Sequence, residues 1–432
     1  MKSNDMSKNQ ASFDPNNVEK LTFSEILKRI GPGIILTGVV IGPGNLTTSA
    51  MLGANYGYSL IWLLIPIAFM GITFMLTTYR ISMLTGMPIL HAIRHYYGGV
   101  ASGFVGTALF IACLFFTLGN ISGTGAGMTL IFGINWKLGA LIMLAILFYC
   151  YFSKGVYSKI EKAIMVCIVG IIVAFYATLV VSGGPSWSGI ATSLVNWDLP
   201  KGSLTTALAY ISTNAAVTAG IYGTYLGAEK KWKKEDLFNG AMLADAVAHI
   251  VTVILISGAI ILVGAIVLHP QGIGIKTPAQ LGELLVPLLG KMAYLTMGIA
   301  LLGAGFSSLL GNTQRGMVLL SAGFDKEVGL ESKTIRWGCV ICLIVATAIC
   351  FLYGGSPTQL IFLANVSTSI ATPVAGFFIV RMIWKKEVNE GFKQPLVLQI
   401  CMTLSYLFAV IMTISALRTT IPKLIASFSH LL

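Results

Sequence analysis

The chain has 432 residues, of which 56% are hydrophobic and only 10% are charged. A soluble domain carries roughly a quarter charged residues, so this composition excludes an ordinary water-facing surface and indicates a surface that faces lipid. The net charge of +12 does not indicate a nucleic-acid partner, because the basic residues lie mainly at the ends of apolar segments.

The apolar segments predict an all-α integral membrane protein in a lipid bilayer. A membrane span needs about 20 apolar residues, and about eleven segments qualify. In chain order they are 31–53, 58–79, 102–132, 138–153, 160–182, 204–226, 240–268, 289–320, 335–353, 357–383 and 394–416. We therefore divide the chain into a cytoplasmic N-terminal tail (1–30), a single transmembrane transporter domain (31–416) and a short C-terminal tail (417–432).

The distribution of basic residues predicts how the chain is oriented. With the N-terminus in the cytoplasm, most of the 28 Lys and Arg residues fall in cytoplasmic segments. The few that fall in outer segments are Lys137, Lys201, Lys276, Lys291, Arg418 and Lys423. Cytoplasmic loops of membrane proteins are enriched in Lys and Arg. We therefore expect a multi-pass protein of the plasma or inner membrane, with its N-terminus in the cytoplasm and its C-terminus outside.

Two predicted spans are interrupted. In the first span Pro43 stands between two glycines, where it removes a backbone donor and clashes with the preceding turn. The sixth span is a weak helix over 212–224, rich in small and hydroxyl residues around Gly220 and Gly223. The two breaks correspond if spans 1–5 and 6–10 are repeats, and paired broken helices indicate the central site of a transporter.

Several motifs show a resemblance to the Nramp (natural resistance-associated macrophage protein) metal-ion transporters. They are Gly31-Pro32-Gly33, Gly42-Pro43-Gly44-Asn45, Ala54-Asn55-Tyr56-Gly57-Tyr58-Ser59, Arg80 through Thr85-Gly86, and Ala300-Leu301-Leu302 with Gly305-Phe306-Ser307-Ser308. The resemblance extends over nearly the whole chain, from residue 31 to about 416. It implies a LeuT-type fold with a 5+5 inverted repeat and broken helices 1 and 6.

The resemblance also implies which positions hold the substrate. The family's metal ligands are an Asp and an Asn of the first span and a Met of the sixth, with backbone carbonyls. Asn45 matches the family Asn, but Gly42 stands at the Asp position and Thr218 near the Met position. A metal would then be held by Asn45 and the backbone of Gly42 and Ala215.

Other polar positions of the family are also altered. The proton-route acids of the third span correspond to Asn120 and Gly123, and a Gln of the tenth span corresponds to Asn365. Ser307 and Ser308 stand where relatives in the wider fold place hydroxyl ligands for sodium. We expect a coupling ion, Na⁺ or H⁺, and assign a gating role to Asn120 and to Asp245, an ionisable residue near the end of the seventh span.

These departures leave three hypotheses for function. The first is a secondary transporter of a small polar or carboxylate-bearing organic solute, because a glycine-rich break exposes backbone donors to a carboxylate. The second is a divalent metal-ion transporter for manganese, iron or magnesium, and the third is a non-transporting membrane sensor. No enzyme motif and no cofactor are predicted. The predicted substrate-binding residues are Gly42, Gly44, Asn45, Asn214, Ala215, Thr218 and Asn365.

Overall fold

The computed structural model describes residues 18–152, 169–170, 172–329, 332–389 and 391–428, and within these ranges the regular structure is helical. The helices of the first half are α1 (Phe23–Arg29), α2 (Pro32–Val40), α3 (Pro43–Tyr56), α4 (Leu64–Thr85), α5 (Ile89–Phe132), α6 (Trp136–Phe152), α7 (Ile172–Val181) and α8 (Trp187–Asn196). The predicted all-α fold class is therefore confirmed.

The second half continues the same pattern of helices and short connections. Its helices are α9 (Leu204–Asn214), α10 (Val217–Glu229), α11 (Glu235–Phe238), α12 (Ala241–Val263), α13 (Pro278–Glu283), α14 (Val286–Leu289), α15 (Met292–Gly323), α16 (Lys333–Leu352), α17 (Pro357–Ser367), α18 (Ala371–Trp384) and α19 (Leu396–Phe428).

Within the described residues, seven helices are long and apolar enough to cross a bilayer, and the bent pair α2 and α3 adds an eighth. Two further predicted spans are represented by the shorter apolar helices α6 and α7, although part of the segment 160–182 lies outside the described residues. The predicted sixth span is divided between α9 and α10. The last helix, α19, continues past the predicted span end at 416 to Phe428 and contains Pro422.

The first predicted break is confirmed. Gly42 is extended (φ −123°, ψ −175°), and Pro43 is the first residue of α3, where its missing N–H costs no helical hydrogen bond. The axes of α2 and α3 differ by 63°. One span is thus made of two half-helices whose ends meet inside the protein.

The second break lies within the weak segment predicted over 212–224, but it lies before the two glycines of that segment. It falls at Ala215 (φ −124°, ψ 43°) and Ala216 (φ −77°, ψ 133°), whereas Gly220 and Gly223 lie inside α10. A Cβ at Gly220 would lie 2.8 Å from the Thr78 hydroxyl, and a Cβ at Gly223 would lie 2.8 Å from the Tyr79 hydroxyl. These two glycines therefore allow α10 to pack closely on α4, and they do not cause the break.

Several helices pack around the two breaks. The longest, α5, bends at Gly98 (φ +88°) and packs along α15. Helix α17 packs against both α5 and α9, and α2 lies against α12 and α15. Helices α5, α15 and α17 therefore bring side chains to the place where α2 ends and α3 begins.

Candidate functional site

The two breaks are joined by a short chain of amide hydrogen bonds. The Asn214 Nδ2 donates to the Tyr210 carbonyl at 2.8 Å, and the Asn45 Nδ2 donates to the Asn214 Oδ1. Because a backbone carbonyl can only accept, it fixes the orientation of Asn214, which in turn fixes that of Asn45. The Asn45 Oδ1 is therefore presented as an acceptor, and it has no hydrogen-bond partner among the described residues.

Several other buried polar atoms around the breaks also lack a partner in the described part of the chain. They include the Thr218 hydroxyl, the Asn120 Nδ2 and both side-chain atoms of Asn365. None of these residues is more than 2% exposed. Leaving a buried polar group unpaired costs about 1–3 kcal/mol, so such a concentration of unpaired amide and hydroxyl groups marks a place where a ligand can be bound.

The predicted site residues Gly42 and Gly44 are closely covered. A Cβ at Gly42 would lie 2.5 Å from the Ser308 Oγ and 2.9 Å from the Asn120 Oδ1. A Cβ at Gly44 would lie 2.6 Å from both side-chain heteroatoms of Asn365. The amides of Asn120 and Asn365 thus lie directly against the break, and the break leaves no room for a bulky substrate group in this conformation.

Gly123, which the resemblance matches to an acid of the third span, is also closely packed. A Cβ at Gly123 would lie 2.1 Å from the Pro43 Cβ, so the proline ring of the first break occupies the space beside the third span. The same ring lies near Gly305, where a Cβ would lie 2.3 Å from the Thr124 Cγ2 and 3.3 Å from the Pro43 Cγ. Gly123 and Gly305 are therefore closely packed against Pro43 and Thr124.

Two small cavities lie beside the breaks. One, of about 20 Å³, is lined by Ile41 and Leu46 together with apolar residues of neighbouring helices. The other, also about 20 Å³, is lined by Ala215, Ser212 and Ser369 among others. A cavity of this size holds about one water molecule. The breaks are therefore closely packed in this conformation, and the cavity beside Ile41 and Leu46, whose lining is apolar, is not suited to a water or an ion.

The predicted sodium ligands Ser307 and Ser308 face the C-terminal end of α2. The Ser308 Oγ donates to the Val39 carbonyl at 2.9 Å, and the Ser307 Oγ donates more weakly to the Gly38 carbonyl at 3.4 Å. Asn312 also donates to the Val39 carbonyl, at 3.2 Å. The carbonyls that a sodium ion would use are already accepting hydrogen bonds from side chains.

Asp245 lies at the other end of α2. Its carboxylate accepts hydrogen bonds from the backbone of Gly31 at 3.0 Å and of Gly33 at 2.9 and 3.0 Å. It also accepts one from the Tyr79 hydroxyl at 3.1 Å. A carboxylate at a helix N-terminus satisfies free backbone donors and opposes the positive end of the helix dipole. Asp245 therefore fastens α2 to α12 and α4, and the assigned gating role stays a proposal.

Two buried residues of α15 were missed by the sequence analysis. Asn312 is fully buried, and Arg315 is 1% exposed, with its Nη2 donating to the Asn312 Oδ1. An arginine inside an apolar span is itself a signal of function, and this signal was available from the sequence. Asn312 gave a weaker signal, because an uncharged asparagine within a span is less unusual than an arginine.

The candidate site contains no acidic ligand from the described residues. Among them, no three His, Cys, Asp or Glu side chains are grouped so that they could hold a metal ion. What converges on the breaks is a set of neutral oxygens and amides, which suits a ligand bound without a protein counter-charge.

Comparisons with known proteins agree on the family and on the fold. Residues 33–419 match the family model described as natural resistance-associated macrophage protein-like. The divalent metal cation transporter MntH of Agrobacterium fabrum is 26% identical over 408 residues, which cover 90% of this chain and 86% of that protein. The manganese transporter of Eremococcus coleocola superposes with a TM-score of 0.70 at 16% identity, covering 94% of this chain and 89% of that one.

A more distant match shows how widely the fold is shared. The structure of MhsT in complex with L-phenylalanine superposes with a TM-score of 0.59 at 16% identity, covering 93% of this chain and 99% of that one. The predicted LeuT-type fold with broken helices is thus confirmed, and the fold by itself does not name a substrate.

Proposed function

The chain belongs to the Nramp family, and from this premise we propose that it transports divalent metal ions across a membrane. The support is that its family relatives include proteins named as divalent metal cation transporters, aligned over most of both chains. Our first hypothesis from the sequence, an organic solute, finds no support in these comparisons. The metal-ion alternative is favoured.

The observation that carries the proposal is the orientation of Asn45. Its Oδ1 is buried, unpaired among the described residues, and fixed as an acceptor by the chain that begins at the Tyr210 carbonyl. A buried amide oxygen with nothing to accept from is suited to a cation. Hard divalent cations prefer such oxygen ligands.

The neutral character of the site determines how the ion is held. Mg²⁺ loses its water reluctantly, and it is usually bound through few protein ligands with several waters retained. The oxygens of Asn45, Thr218 and Asn365 offer no charge and no sulfur. We therefore propose that the ion keeps part of its water shell and that hard ions, Mg²⁺ and Mn²⁺, are preferred over soft ions such as Cd²⁺.

Space at the breaks favours an ion over an organic solute. The Cβ-sized volumes beside Gly42 and Gly44 are filled by Ser308, Asn120 and Asn365. A substrate carboxylate aimed at the start of α3 would have to displace these side chains. The cavities near both breaks hold about one water molecule each, so they have no room for an organic solute, and an ion with retained waters requires the site to open.

The test is uptake of Mn²⁺ into proteoliposomes that contain the purified protein, with Mg²⁺ as competitor. We expect saturable uptake that Mg²⁺ inhibits and that Asn45→Ala abolishes. Asn135→Ala, in the connection between α5 and α6, is the matched control and should transport like the wild type.

Absence of saturable uptake by protein that melts cooperatively and is correctly inserted would overturn the proposal. A screen of amino and organic acids in the same vesicles would then test the organic-solute hypothesis.

A further inference from the structure

Three side chains of α15 form a hydrogen-bonded group at the C-terminal end of α2. The Ser308 Oγ and the Asn312 Nδ2 both donate to the Val39 carbonyl, at 2.9 and 3.2 Å. The Asn312 Nδ2 also donates to the Ser308 carbonyl at 2.9 Å, and its Oδ1 accepts from the Arg315 Nη2. A buried guanidinium is thus connected, through one amide, to the last carbonyls of the first half-helix.

The orientation of Asn312 follows from its partners. Its nitrogen faces two carbonyl oxygens, which only accept, and its oxygen faces a guanidinium, which only donates. A flipped amide would place oxygen against oxygen and N–H against N–H. The Asn312 amide is therefore oriented with its oxygen toward the charge of Arg315 and its N–H toward the Val39 carbonyl, so the guanidinium strengthens the hydrogen bond to that carbonyl.

Arg315 carries its charge in a buried place. It is 1% exposed, its Cζ lies 5.4 Å from the ring centre of Phe116, and its Nε and Nη1 have no hydrogen-bond partner among the described residues. The ion pairs that the described residues form do not include it. A charge inside a span is expensive unless something compensates it. The negative end of the α2 dipole, reached through Asn312, supplies that compensation.

In transporters with paired broken helices, the C-terminal ends of half-helices coordinate the coupling cation. In this chain the same end already accepts hydrogen bonds from Ser308 and Asn312 and faces the charge of Arg315. We propose that Arg315, acting through Asn312, is a resident cation that takes the place of a coupling Na⁺ at the end of α2. Arg315 is then a positioning residue, and the closed arrangement of the first break requires no sodium.

This inference goes beyond the identity of the cargo, so its test uses no transported substrate. Purified protein in detergent is melted in sodium chloride and in choline chloride at equal ionic strength. We expect the wild-type melting temperature to be the same in both salts. Arg315→Gln should melt lower than the wild type in choline, by about 2 °C or more, and sodium should raise its melting temperature again by stabilising the emptied position.

Two further variants separate a resident cation from ordinary packing. Arg315→Lys keeps the charge and should stay insensitive to sodium. Asn312→Ala removes the connecting amide and one of the two donors to the Val39 carbonyl, which keeps its bond from Ser308. It should become sodium-sensitive like Arg315→Gln, and it replaces that variant if Arg315→Gln does not fold.

Two outcomes would overturn the proposal. The first is stabilisation of the wild type by sodium, which would mean that a cation binds although Arg315 is present. The second is a folded Arg315→Gln or Asn312→Ala variant that gains no sodium sensitivity, which would reduce Arg315 to a packing role. Neither outcome depends on whether Mn²⁺ is transported, so failure of this inference and failure of the proposed function can be told apart.

Discussion

The centre of the molecule and the two ends of α2 are built from different kinds of side chain. Around the two breaks the polar groups are neutral, with Asn45 and Thr218 left unpaired among the described residues. At the ends of α2 the groups are charged. Asp245 caps the N-terminal end, and Arg315 reaches the C-terminal end through Asn312.

This difference shows where the protein uses its intramembrane charges. A negative group at the start of α2 and a positive group at its end both interact favourably with the helix dipole. These charges therefore hold α2 in place. The proposed substrate position receives only neutral atoms from the described residues. A substrate held this way must keep part of its own solvation, and it must bind less tightly than it would to a carboxylate.

The largest expected effect is at the centre. Asn45→Ala removes the oriented oxygen and should lower Mn²⁺ or Mg²⁺ uptake by about 100-fold or more, whereas Asn214→Ala removes only the orienting partner and should cost about tenfold. Uptake rates in proteoliposomes would measure both. Equal losses in the two variants would mean that Asn45 acts through structure and is not a ligand.

At the N-terminal end of α2 the expected effect is on stability. Asp245→Asn weakens the hydrogen bonds to Gly31 and Gly33 and removes the charge that opposes the dipole, so we expect a loss of about 2 kcal/mol in the free energy of unfolding. Glu235→Gln, an exposed carboxylate in α11, is the matched charge change and should have almost no effect. Denaturation of both variants in detergent checks this, and an unchanged stability of Asp245→Asn would show that the cap is not holding α2.

A smaller effect concerns selectivity at the second break. Thr218→Met places a soft thioether beside the neutral oxygens, and Cd²⁺ should then compete with Mn²⁺ about tenfold more strongly. Thr218→Leu has a similar side-chain size without sulfur and should not gain this competition. If the two variants behave alike, Thr218 does not face the ion.

The smallest effect should separate the two serines of α15. Ser308→Ala loses a buried hydrogen bond of 2.9 Å to Val39 and should destabilise the protein by about 1 kcal/mol. Ser307→Ala loses a longer bond of 3.4 Å at a half-buried position and should change stability by less than about 0.5 kcal/mol. Melting curves would rank them, and the reverse order would contradict the hydrogen-bond pattern at the end of α2.

Local chemistry explains which parts of this architecture could be predicted. The break at Pro43 follows from residues that stand next to each other, and the apolar segments needed only composition. The composition of 212–224 indicated a weak helix, but the exact position of the break at Ala215 and Ala216 has no local signal, because alanine favours helix. Gly220 was interpreted as a sign of a weak helix, but the structure explains it by the close packing of α10 on α4, which leaves no space for a side chain.

The site shows the same limit. Asn45 was predicted because the resemblance matches it to the family's Asn ligand, in the motif that contains the first break. The contact of Asn365 with Gly44, or of Pro43 with Gly123, joins distant spans and could not be derived from spacing. Arg315 could have been found, since a charge within an apolar span needs an explanation, but its connection to Val39 through Asn312 required coordinates.

The close fit around Gly42 also limits how this lineage can change. A side chain at that position meets the Ser308 Oγ at 2.5 Å and the Asn120 Oδ1 at 2.9 Å, so a single mutation that introduced an aspartate would collide with both neighbours before it could bind anything. An acid at position 42 therefore requires the side chains of Ser308 on α15 and Asn120 on α5 to move or to be replaced by smaller ones. The absence of an acid at the first break and the close packing around it are two aspects of one arrangement, and neither can be changed alone.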